Sequence, residues 1–208
     1  NKNLKMNIES DFETLIKLSI IGDSNVGKSN FLFKFIDDQF SPLHVATIGF
    51  DYKSRITTLP VSKKTVKLQI WDTAGQEKYM SINKNLFQRV QGIILMYDIT
   101  KRETFEHLET WINIIKQMTN EIPIILVGNK VDQEDNAENG RIVEYSEGED
   151  FARENDFDFF EASAMDGTNV NKVFVTIAEK IIKNLQEDRT PSSIVIDKNS
   201  KEKKKCSC

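Results

Sequence analysis

Residues 22 to 29 read Gly-Asp-Ser-Asn-Val-Gly-Lys-Ser, with the apolar run LIKLSII ahead of them and NFLFKFI behind. No other stretch restricts the fold as strongly. Glycines let a short loop wrap closely and turn its N–H groups inward, and a helix starting at the loop's end adds N–H groups of its own. Strand, loop and helix together make a cradle for phosphate oxygens. Ser24, Asn25, Val26, Gly27, Lys28 and Ser29 are the candidate phosphate-binding residues, Lys28 adding a cation for the terminal phosphates and Ser29 a hydroxyl for a Mg²⁺ ion. The competing reading is a plain glycine-containing turn. A chance match to this pattern somewhere in a chain of 208 residues is on the order of one in a hundred, and the flanking strand and helix patterns lower that further.

A strand feeding such a loop implies a sheet to hold it, and the chain supplies further candidates in FDYKSRITTL, TVKLQIWD, GIILMYDI, IPIILVGN and FDFFEAS. Helical patterns between them give an α/β fold with a mostly parallel sheet and helices on both faces. The connection PVSKK is too short for a crossover helix, so the second and third strands should pair antiparallel at one edge. The expected sheet is therefore six-stranded, in a P-loop NTPase fold. Ser29 to Ile36 reads as the first helix. Phe105, Leu108, Ile112 and Ile115 share one helical face. In the last helix Val170, Val173, Phe174, Ile177, Ile181 and Leu185 form a core stripe, with Lys172, Glu179, Lys180 and Lys183 around it.

The net charge of −4 excludes the broad basic field that nucleic-acid binding uses. The apolar runs fall short of the ~20 residues of a spanning helix, and the first residues carry no apolar signal segment. A cytosolic protein is expected. Its two cysteines, Cys206 and Cys208, cannot staple the fold.

A phosphate cradle does not choose a base. Asn129-Lys130-Val131-Asp132 follows the strand IPIILVG, at the carboxyl end of the sheet where open α/β folds bind ligands. Guanine presents two adjacent donors that one carboxylate, Asp132, can accept, whereas adenine would set a lone pair against it. A plain polar turn is the alternative. Asp72-Thr73-Ala74-Gly75-Gln76-Glu77 ends another strand. Asp72 can reach a Mg²⁺ ion, the N–H of Gly75 can approach a γ-phosphate, and the Gln76 amide can orient an attacking water. A solvated strand-ending turn is again the bland alternative.

With GDSNVGKS, DTAGQE, NKVD and EASAM in this order, the chain resembles the Ras superfamily of small GTPases and, within it, the Rab family. The likeness spans roughly residues 15 to 184 and includes TIGFDYK, KLQIWDTAGQEKY and GIILMYDIT. It implies that Thr47 binds Mg²⁺ and the γ-phosphate in the GTP state, so that Ser29, Thr47 and Asp72 form the metal set. Phe40 would pack on the guanine ring, though it could also be an ordinary core residue. Asn129 would tie its loop to the phosphate loop, Lys130 would lay its stem over the base, and Ser163, Ala164 and Met165 would form the last guanine loop. His44, Met165 and Leu86 depart from the family pattern, where tyrosine, lysine and tyrosine are usual.

The resemblance further implies GTP hydrolysis to GDP and phosphate, with Gln76 and Lys28 as catalytic groups. No arginine matches a built-in finger, and in related Ras enzymes a finger supplied in trans is worth about 10³–10⁵ in rate. Slow intrinsic turnover is expected. The implied partners are an exchange factor, a GTPase-activating protein, a GDP-dissociation inhibitor or escort protein, and effectors in vesicle traffic. The Cys-Ser-Cys ending looks like the Rab signal for two geranylgeranyl groups, and two lipids anchor stably where one does not. Lys198, Lys201, Lys203, Lys204 and Lys205 would add attraction to anionic lipid. Residues 1–13 read as a polar extension, 14–187 as the GTPase domain and 188–208 as a mobile tail. The expected location is the cytoplasmic face of intracellular membranes, with a cytosolic pool. Rival readings are an ATPase or small-molecule kinase, which Asp132 opposes, and a GTP-binding scaffold with little cycling.

Overall fold

The structure is a computed structural model that describes residues 12–42, 50–73, 90–118, 121–137 and 140–187. Its centre is β1 (Thr14–Ile21), in which Ile16, Leu18 and Ile20 are fully buried on one face and Ile21 on the other. β1 pairs in parallel with β3 (Thr65–Thr73) on one side and β4 (Gly92–Asp98) on the other. β5 (Ile124–Asn129) and β6 (Asp158–Ala162) extend the sheet in parallel beyond β4. At the opposite edge β2 (Phe50–Thr58) runs antiparallel to β3, registering Phe50 with Thr73 and Thr58 with Thr65. The order is β2-β3-β1-β4-β5-β6 in a six-stranded sheet, mostly parallel with one antiparallel edge strand, as the strand pattern predicts. β4 is buried along its whole length, which is why it reads GIILMYD without alternation: helices cover both of its faces.

On one face α1 (Lys28–Asp37) and α5 (Val170–Glu187) pack Phe31, Phe35 and Phe174 over the sheet, with the Phe35 and Phe174 rings stacked at 3.9 Å. On the other, α2 (Arg102–Glu106), α3 (Leu108–Met118) and α4 (Tyr145–Glu154) close a second core around Leu108, Trp111, Ile112 and Ile115. The predicted face of Phe105, Leu108, Ile112 and Ile115 is thus the buried one, although the helix is divided at His107.

α4 lies outside the helical patterns noted above. It starts at a capping box in which Glu144 and Glu147 exchange side-chain and backbone bonds. Arg102 of α2 holds Glu147 through paired bonds of 2.6 and 2.9 Å, joining the two helices.

α5 runs back along the sheet from the carboxyl ends of the strands, so that Lys180 pairs with Asp158 at the start of β6 at 2.7 Å. Glu179 on the same helix accepts N–H bonds from Val61 (2.7 Å) and Ser62 (3.1 Å), pinning the tip of the β2–β3 hairpin.

Candidate functional site

The loop after β1 bends where its glycines stand. A Cβ on Gly22 would lie 2.2 Å from the carbonyl oxygen of Met96 in β4, and the residue has φ +145°, so only glycine lets the chain cross β4 this closely. Gly27 caps α1 with φ +100°, and a Cβ there would meet the Asn129 amide at 2.4 Å.

Lys28 opens α1 and is 6% exposed. Its ammonium donates to the carbonyls of Gly22 (2.8 Å) and Asp23 (2.6 Å), so the cation lies folded over the loop. Ser29 donates its hydroxyl to Oδ2 of Asp72 at 2.5 Å, and Asp72 is 4% exposed near the end of β3. Two hard oxygen ligands thus meet beside the loop, a set that suits Mg²⁺, which characteristically takes one or two protein oxygens and completes its shell with phosphate and water.

The base-reading candidates gather at the ends of β5 and β6. Asn129 is 1% exposed and bridges two loops: its Nδ2 donates to the Val26 carbonyl at 2.8 Å, and its Oδ1 accepts from the Ala164 N–H at 3.2 Å. The Ala164 N–H is therefore engaged by Asn129 in this arrangement. Lys130 has φ +75° and sends its ammonium to Oδ2 of Asp98, a fully buried residue, at 2.6 Å. Asp132 accepts from the Ser163 hydroxyl at 2.6 Å, and the same hydroxyl accepts the N–H groups of Met165 and Asp166, each at 3.1 Å.

One cavity is lined by Gly27, Phe40, Asn129, Lys130, Asp132, Ala164 and Met165, so the glycine loop and the base-reading candidates share a single site. Phe40 stands at its rim, 40% exposed, which fits a ring that stacks on a ligand better than a core residue. Asn30 fixes this rim: its amide donates to the Ser41 carbonyl (2.9 Å) and accepts the Ser41 N–H (3.2 Å). Thr47, Gly75 and Gln76 lie outside the described residues, as do His44, Leu86, Cys206, Cys208 and the lysines near them.

Some residues at this site carry no motif in the sequence. Asn30 and Asp98 act through a backbone contact and an ion pair that spacing alone does not reveal. Trp111 of α3 and His107, at the junction of α2 and α3, reach the glycine loop.

The Ras family model matches residues 17–183 of the chain. The chain belongs to the Ras family. It is similar to Ras-related protein Rab-3D of Homo sapiens and to GTP-binding protein Rab-3D of Rattus norvegicus, each 41% identical over 186 residues, covering 89% of this chain and 82% of the relative. Ras-related protein Rab-10 of Diplobatis ommata is 44% identical over 172 residues, covering 82% and 83%. The protein is a Rab-like small GTPase, and the reaction of its family is hydrolysis of GTP. As a Ras family member it has GTP and GDP as its ligands and regulators and effectors as its general kinds of partner. No helix among the described residues is long and apolar enough to cross a membrane.

Proposed function

We propose that the cavity beneath Phe40 takes the guanine of GTP or GDP and that the adjoining loop takes the phosphates. The observation that supports this most strongly is the convergence of Asp132, Asn129, Lys130 and Phe40 with Gly27 on one cavity. Asp132, oriented by the Ser163 hydroxyl, accepts the two adjacent donors of guanine. A site built around such a pair rejects adenine by leaving its own group unpaired. Phe40 and the Lys130 stem cover the ring, the latter held by the Asp98 ion pair. Ser163, Ala164 and Met165 close the far side.

The N–H groups of Ser24 to Ser29 and Gly75 hold the phosphates. Lys28 leaves the Gly22 and Asp23 carbonyls to neutralise charge on the terminal phosphates, and Gln76 orients the attacking water. Ser29, Asp72 and Thr47 would hold Mg²⁺, which supplies charge neutralisation across the phosphate oxygens when bound. With no arginine of the chain's own in the role, turnover in isolation is slow and an activating protein completes the site.

At the level of the cell we propose a switch in vesicle traffic, with residues 14–187 as the GTPase domain. Residues 1–13 form a polar extension, and the 188–208 tail is held at intracellular membranes through geranylgeranyl groups on Cys206 and Cys208. An exchange factor, a GTPase-activating protein, a GDP-dissociation inhibitor or escort protein, and effectors are its partners, and a soluble pool exists in the cytosol.

The test is to purify the protein with Mg²⁺, denature it and identify the released nucleotide by chromatography. Near-stoichiometric GDP or GTP is expected. Adenine nucleotide, or none together with no rebinding of GDP, overturns the reading. Gln76→Leu should then slow activator-stimulated hydrolysis by at least tenfold in a single-turnover assay, whereas a scaffold that does not cycle would show no change.

A further inference from the structure

Asp23, inside the phosphate loop, has a carboxylate that takes no part in the scheme above and sits on a segment built to receive anions. Unbalanced, that charge would repel phosphates bound by the same loop. The structure gives it two partners from a different part of the chain. Trp111 of α3 donates its indole N–H to Oδ1 at 2.7 Å, and His107, at the junction of α2 and α3, sets Nδ1 against Oδ2 at 2.7 Å. The backbone carbonyl of the same Asp23 accepts the Lys28 ammonium at 2.6 Å.

We propose that His107 and Trp111 are positioning residues for nucleotide binding and turnover, acting on Lys28 and the phosphate loop through Asp23. This rests on the guanine-nucleotide reading of the site. Trp111 is 2% exposed and packed among Leu108, Ile112 and Ile115, so its N–H is aimed by a rigid core. His107 reaches the loop from a half-exposed position at the helix junction, where its backbone N–H continues the helical bonding to the Glu103 carbonyl at 3.1 Å. Together they draw the carboxylate toward α3 and spread its charge over two donors, the histidine carrying its proton on Nδ1. The start of the loop is then held from two sides: Gly22 against β4, and Asp23 against α3. When phosphate draws Lys28 away, Asp23 keeps its place because its side chain is held independently of that bond. Loss of either donor frees the carboxylate to swing toward the phosphates, which weakens nucleotide binding without touching the base.

The experiment follows release of methylanthraniloyl-labelled GDP from the full chain. The variants are His107→Ala, His107→Asn, Trp111→Phe, Asp23→Ala, the double variant Asp23→Ala/His107→Ala, and Ile115→Val as a core control on α3. Each is matched by a thermal unfolding curve. His107→Ala and Trp111→Phe should speed release by about 5- to 20-fold, and His107→Asn, whose amide can still donate, should return it to within about 2-fold of the unsubstituted protein. The double variant should release no faster than Asp23→Ala alone. If Trp111→Phe does not fold, the exposed His107 series carries the test. Release within 2-fold of the parent in His107→Ala, equal effects of His107→Asn and His107→Ala, or additivity in the double variant overturns the proposal, as does a control of equal destabilisation with equal release. Failure of the unsubstituted protein to bind labelled GDP would instead overturn the site reading on which this stands.

Discussion

Asn129 shows what a single side chain does at this site. One amide satisfies a carbonyl of the glycine loop and an N–H of the Ser163–Met165 loop, so it fixes two loops that are far apart in sequence. Asn129→Ala would leave both groups buried and unpaired, and at ~1–3 kcal/mol for each the expected loss is about 2–6 kcal/mol of stability. Denaturant unfolding measures that loss, and a GDP titration should show affinity falling at least tenfold in parallel. Asn129→Asp would keep one acceptor but present an oxygen to the Val26 carbonyl, and so should fare no better. The sequence made Asn129, Lys130 and Asp132 visible because their chemistry is written in their identities. Asp98, Asn30 and His107 stayed hidden because their roles depend on what the fold brings opposite them.

Among elements, the sheet was legible and one helix was not. Strands buried on both faces advertise themselves as unbroken apolar runs, and the five-residue connection PVSKK left an antiparallel hairpin as the simplest solution. α4 carries no comparable stripe. Its buried residues are Gly148 and Ala152, and Gly148 is small because a Cβ there would meet the Tyr97 hydroxyl at 2.4 Å and the Phe159 ring at 2.5 Å. Close packing has erased the periodicity that would have announced the helix. What secures α4 is its first turn. The Arg102 guanidinium beside Glu147, with the Glu144 backbone N–H, holds the Glu147 carboxyl down at about 2 against an ordinary 4.5. A carboxyl depressed on folding stabilises fully above its unfolded value and loses that contribution as pH falls from about 4.5 toward about 2. Because the pair is partly exposed, solvent screening limits its worth to about 1 kcal/mol or less. Urea unfolding at pH 6 and pH 3 should therefore show Glu147→Gln closing its stability gap to the parent at the lower pH. An unchanged gap would mean that the pairing with Arg102 is not what secures the turn.

At the scale of the whole molecule, two cores back onto one sheet, and the functional loops collect at the carboxyl ends of its parallel strands. Those loops are joined to one another through Asn129, the Ser29–Asp72 bond and the Ser163–Asp132 bond. A ligand that spans them stabilises the folded state by mass action, by about 2.7 kcal/mol at a hundred times its dissociation constant. Removing nucleotide with a Mg²⁺ chelator should lower the melting temperature in scanning fluorimetry, and GDP with Mg²⁺ should restore it where ATP with Mg²⁺ does not. Equal rescue by ATP would count against Asp132 as the reader of the base.

The course of α5 has a practical corollary. Because that helix travels from the loop-bearing pole to the amino ends of the strands, and Lys180 is already level with the start of β6, the helix ends at Glu187 on the side remote from Lys28 and Asp132. A probe, bead or sensor chip attached to the last turn of this helix, near Glu187, would therefore leave the loops pointing into solution. Kinetics recorded on such a surface should match those of the untethered protein.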